Sequence, residues 1–198
     1  MKKNKTVDIY KLTYLAIMTA IVVVLQYAGG FIKLGTFSVS LVLIPIVLGT
    51  IVGKAWGGAW LGAVFGVTVF ISGDAALFYG INPLGTIVTV MLKGILAGVC
   101  AGLVYQLLSK FNLYVAVVAA AVVCPIVNTG VFLIGCRLFF YDWIVENAAA
   151  INGWSPVAFM FLGLVGANFL VELLFNIVLS PVVVRLIRLI PTKATRRI

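Results

Sequence analysis

A helix needs roughly 20 apolar residues to cross the ~30 Å hydrocarbon core of a bilayer, and this chain is built almost wholly of such runs. They lie at about 11–28, 38–53, 56–72, 84–108, 112–137 and 156–187, divided by isolated charges, Gly or Pro. Little is left for anything else: 64% of the 198 residues are hydrophobic and 10% charged, against about 25% charged in a soluble domain. The chain therefore reads as an all-α membrane protein of six transmembrane helices. It forms one integral domain over residues 1–198, with short basic tails at about 1–10 and 188–198. Lys54 alone separates the second run from the third, so these two form a tight hairpin.

Orientation follows from Lys and Arg, which accumulate on cytoplasmic flanks. Lys2, Lys3, Lys5 and Lys11 precede the first run, and Lys54 and Lys110 fall in the second and fourth connections. Arg185, Arg188, Lys193, Arg196 and Arg197 close the last run. In a six-span chain all of these face one compartment, opposite Lys33, Arg137, Asp74, Asp142 and Glu146, which places both termini in the cytoplasm. No small-residue cleavage site follows MKKNKTVDIYK, so the first run is a span and not a signal peptide. The net charge of +9 then reflects topology and anionic inner-leaflet lipid, with no basic stripe for nucleic acid.

The absence of His removes the commonest general base and metal ligand, which turns the reading away from an enzyme. Cys100, Cys124 and Cys136 show no metal spacing and read as small core residues, so no metal or cofactor is expected. Small residues recur at steps of four, as Gly58, Gly62 and Gly66 and as Gly94, Gly98 and Gly102, which permits close helix contact in lipid. Ala16 and Ala20 repeat the spacing near the cytoplasmic end of the first run.

Polar residues inside spans cost about 2.5–3.5 kcal/mol when ionisable, so each marks a candidate functional position. Asn168, Glu172 and Asn176 form one stripe on the last helix, Thr89 and Lys93 share a face of the fourth, and Asn128 and Thr129 follow Pro125 in the fifth. Counting 1.5 Å per residue from the cytoplasmic anchors puts Lys93, Asn128, Asn168 and Glu172 at roughly 20–25 Å, all at one level in the outer half of the membrane. Arg137 stands at the outer end of the fifth helix, and Tyr79, Trp143 and Trp154 fall in outer loops, as belt residues or as pocket walls. Lys93 and Glu172 pair with one another as interhelical glue, or they line a polar cavity open to the outside; the two readings are compatible.

The hairpin LVLIPIVLGTIVGKAWGGAWLGAVFG, the stretch Pro125-Ile-Val-Asn128-Thr129-Gly130-Val-Phe and the Ala16-xxx-Ala20 pair resemble the substrate-binding S components of energy-coupling factor (ECF) vitamin transporters. The likeness extends over most of residues 11–185. It implies a subunit in a prokaryotic cell membrane that binds a vitamin from outside and docks, through Ala16 and Ala20, on a transmembrane coupling subunit driven by two ATPase subunits. It places the pocket on Lys93, Asn128 and the Asn168/Glu172 stripe. Pantothenate suits a cation such as Lys93 or Arg137 together with Asn amides; riboflavin or a cobalamin is the alternative. A proton- or sodium-coupled carrier with Glu172 as relay is the reading from another class.

Overall fold

The computed structural model describes residues 9–29, 33–34, 37–38, 41–150 and 153–189. The basic residues at 2, 3, 5, 193, 196 and 197 lie outside the described residues. In chain order the elements are α1 (Ile9–Gly29), β1 (Lys33–Leu34), β2 (Phe37–Ser38), α2 (Leu43–Ile71), α3 (Ala76–Ile81), α4 (Pro83–Leu108), α5 (Leu113–Phe139), α6 (Tyr141–Ala150), α7 (Pro156–Ala158), a π-helical segment (Phe159–Val165) and α8 (Gly166–Leu189). β1 and β2 pair antiparallel, Lys33 opposite Ser38.

Five helices are long and apolar enough to cross a membrane, where the sequence suggests six: Ile9–Gly29, Leu43–Ile71, Pro83–Leu108, Leu113–Phe139 and Pro156–Arg185. The difference lies in α2, which runs through both the second and third expected spans. Its interior is interrupted at Lys54, with φ 56 and ψ −148. A Cβ built on Gly57 would stand 2.5 Å from the Gly49 carbonyl oxygen, whereas residues eight apart on an unbroken helix are separated by about 12 Å. The chain therefore doubles back at Lys54 into two limbs, 43–53 and 55–71. At 1.5 Å per residue the first limb is about 16 Å long, too short by itself for a ~30 Å core.

Capping explains where the later helices begin. Asn82 accepts from the Gly85 amide at 2.9 Å ahead of Pro83, and Asn112 accepts from the Tyr114 amide at 2.8 Å. Ser155 caps α7 by accepting from the Ala158 amide at 3.2 Å, with Pro156 next. Such caps satisfy helix amides that have no partner within the helix. Two stretches expected as outer loops, about 73–83 and 139–155, instead carry the short helices α3 and α6.

The centre is α2 against α4, joined by the two glycine rows. A Cβ on Gly62 would come to 2.0 Å from the Gly94 carbonyl oxygen, and one on Gly98 to 2.0 Å from that of Gly58. Backbone therefore meets backbone, which is how helices gain close contact where lipid supplies no hydrophobic drive. α5 packs on α4 and α8 on α5, while α1 packs mainly on α2. Tyr14 donates to the Leu48 carbonyl at 3.3 Å and Trp60 Nε1 to Thr19 Oγ1 at 3.1 Å, fixing that contact. The other side of α1, including Leu12, Ala16, Ala20, Val24 and Tyr27, is exposed. A second apolar cluster, with Phe78, Phe140, Ile144 and Phe159 in its centre, gathers α3, the end of α5, α6 and the π segment.

Candidate functional site

A cavity of about 90 Å³ opens between α2, α4, α5 and α8, several times the ~10–15 Å³ that one water occupies. Its wall includes Lys93 of α4, Asn128 and Thr129 of α5, and Asn168 and Glu172 of α8. These five residues, singled out in the sequence on three separate helices, are thus brought together. Counting residues along each helix groups four of them, and the structure sets the same four around one cavity.

Lys93 reaches the cavity between two rings, its Nζ 5.5 Å from the centroid of Phe65 and 5.4 Å from that of Phe132. Phenyl faces carry negative charge density that stabilises an ammonium taken out of water. Glu172 and Asp74 are the carboxylates that share the cavity wall with Lys93. Glu172 is 6% exposed, and its backbone carbonyl accepts from Asn176 Nδ2 at 2.8 Å. Asn176 is buried but stands outside the cavity lining.

Two polar atoms in the wall are buried without a hydrogen-bond partner among the described residues: Thr89 Oγ1 and Asn128 Oδ1, on residues 3% and 5% exposed. Leaving such a group unmade costs about 1–3 kcal/mol. The arrangement makes chemical sense if a guest molecule supplies the missing bonds. An ammonium, carboxylates, amide and hydroxyl oxygens, and several phenyl faces can together hold a small polar molecule with an apolar body.

Three of the expected site residues lie elsewhere. Arg137 is exposed and stacks on Tyr141, its Cζ 3.8 Å from the ring centroid, because the last turn of α5 points it away from the bundle. Tyr79 is 47% exposed and borders a separate, apolar surface recess with Phe70 and Met91. Trp154 is exposed in the stretch before α7 and does not line the cavity. The aromatic cover comes instead from Phe78, which contacts Phe132 at 5.7 Å, Phe140 at 4.8 Å and Trp143 at 5.7 Å between centroids.

The sequence reading also misses Gln26 and Asp74, both in the wall. Gln26 near the end of the first run looks like a boundary residue. Asp74 looks like one more outer-loop charge. The available signal was a Gln one turn inside an otherwise apolar helix end.

A family description, "ECF transporter, substrate-specific component", matches residues 10–184. Searches of curated proteins and of solved structures returned no match. Substrate-specific components bind substrate without catalysing a reaction, and they work with a membrane coupling subunit and with ATPases that are separate subunits. With that match running from α1 to the last turns of α8, over a helical membrane bundle that holds a polar cavity, the chain belongs to the substrate-specific components of ECF transporters.

Proposed function

We propose that this chain captures a small water-soluble vitamin from outside the cell, with pantothenate as the substrate, and passes it to an ATP-driven partner complex. The observation that carries the reading is the meeting of Lys93, Asn128, Thr129 and Glu172 in one cavity whose Thr89 and Asn128 oxygens await donors. Pantothenate brings a carboxylate for the Lys93 ammonium, and two hydroxyls and an amide N–H for the acceptors. The modest volume, about 90 Å³, supports a compact guest over a cobalamin. Riboflavin, which is neutral and aromatic, is the second reading, favoured by the phenyl faces of Phe65, Phe78, Phe132, Phe140 and Phe169 together with two carboxylates in the wall.

In this reading both termini face the cytoplasm of a prokaryotic cell. The two limbs of α2 act as the second and third of six crossings. Ala16 and Ala20, exposed on α1, form the docking face for the coupling subunit.

Calorimetric titration of the purified chain against a panel of water-soluble vitamins tests the assignment. Pantothenate should bind without nucleotide, and a panel in which only riboflavin or a cobalamin binds refutes the choice of vitamin. Reconstituted vesicles test the energy source. Uptake should require the coupling subunit and the ATPases, whereas uptake by this chain alone that collapses with an uncoupler would make it a carrier using Glu172.

A further inference from the structure

Gln26 and Asp74 enter the cavity wall from parts of the fold that supply none of the other polar groups. The buried residues of α1 are Val22, Gln26 and Gly29, so Gln26 is the single polar side chain this helix buries. Its amide Nε2 donates to the carboxylate of Asp74 and, at 3.3 Å, to Ser72 Oγ. Ser72 in turn donates to the Val69 carbonyl at 3.1 Å, which ties the group to the end of α2. Asp74 itself lies in no helix. It follows Gly73, whose φ of +81 turns the chain from α2 toward α3, a conformation glycine adopts without steric cost.

A carboxylate in a turn has many orientations open to it, and the Gln26 amide selects one. A contact serving only to fasten α1 to the turn has no need of a cavity; here both members face it. An ionised carboxylate offers about four acceptor positions, so Asp74 can hold Gln26 and still accept from a guest. It cannot donate, which makes it selective for hydroxyl or N–H groups.

We infer that Asp74 is a specificity-determining contact that accepts a hydrogen bond from a hydroxyl or amide N–H of the bound vitamin, and that Gln26 is the positioning residue that aims it. This rests on the cavity being the vitamin site. An acceptor fixed in direction rewards a guest whose donor falls in line and penalises one lacking it, because the half-buried carboxylate in the wall then loses a well-aligned bond.

The test titrates the full-length chain in detergent with pantothenate and riboflavin, and then with single-deoxy analogues of whichever the wild type binds. D74N should weaken the parent vitamin at least about tenfold, in keeping with a hydrogen bond to a charged group. One deoxy analogue should lose less than about threefold on the same substitution, since it lacks the donor that Asp74 serves. Q26L should show the same analogue-dependent pattern with a smaller loss. Parent binding by D74N within twofold of wild type overturns the inference, as does an equal loss across all analogues, which marks a structural fastening. If D74N does not remain monodisperse, Q26L is judged by the same two criteria. A wild type that binds no vitamin at all overturns the functional reading, and this inference falls with it.

Discussion

Replacing Gly62 by Ala puts the contact between α2 and α4 to a quantitative test. The added Cβ would sit 2.0 Å from the Gly94 carbonyl oxygen, while ordinary contact begins at 3.4 Å, so the helices must part locally by about 1.4 Å (3.4 − 2.0). The obstacle is backbone on both sides, so no side chain can swing clear. Overpacking of this kind costs about 1–3 kcal/mol, and the Cα–H···O contacts that small-residue interfaces favour weaken as well. Gly130→Ala is the control, because a Cβ there meets nothing within 4 Å. Its helix should gain about 0.5–1 kcal/mol from the lost backbone freedom of glycine. The two variants should thus differ by about 2–4 kcal/mol in unfolding by denaturing detergent, Gly62→Ala being the weaker. Phe65 lies one turn beyond Gly62 and Lys93 adjoins Gly94, so the same parting should loosen the ring contact on the Lys93 ammonium and weaken vitamin binding. Equal stability of the two variants would refute the claim that backbone contact holds α2 to α4.

Other substitutions probe the cavity and the docking face. Lys93→Met should weaken an anionic vitamin at least about tenfold by calorimetry, the worth of one charge-assisted bond; unchanged affinity would remove Lys93 from recognition. Thr89→Val, which deletes a buried oxygen without a partner among the described residues, should raise the melting temperature of the ligand-free protein while lowering affinity. A fall in both would show instead that the hydroxyl holds the empty fold together. Ala16→Trp and Ala20→Trp should leave binding within twofold of wild type, because both positions are exposed, and should abolish uptake in vesicles holding the whole complex. Undiminished uptake would remove the two alanines from docking.

The long apolar helices and the central contact are legible in the chain because each rests on a simple period. Runs of about 20 apolar residues give helices, glycines at steps of four give backbone contact, and Lys54 between two runs marks the reversal. The polar stripe of α8 follows from its steps of four, and the grouping of Lys93 with Asn128 from counting residues along each helix. What stays hidden is whatever depends on the direction of a side chain in a helix already apolar all round. Phe65 and Phe132 cannot be told in the sequence from phenyls facing lipid, though they flank the Lys93 ammonium. Tyr79 and Trp154 look more suited to a pocket than Phe78, yet α3 turns Phe78 inward and leaves Tyr79 at 47% exposure. The link from Gln26 to Asp74 joins residues 48 apart in the chain, a distance across which no local pattern carries information.

The π-helical turn at Phe159–Val165 sets the phase of everything after it. Bonding from i to i+5 accommodates more residues per turn than an α-helix does, and the backbone returns to α geometry only past Gly166, whose φ is +21. Each residue of an α-helix advances the azimuth by about 100°. Deleting one residue from this segment while letting α bonding run through would remove the surplus residue of the wide turn and leave Asn168 and Glu172 near their present azimuth. Closing the segment to α bonding with all its residues kept would instead rotate them by roughly one residue's step. The bonding pattern of this one short stretch therefore decides which side chains of α8 face the cavity, Glu172 among them.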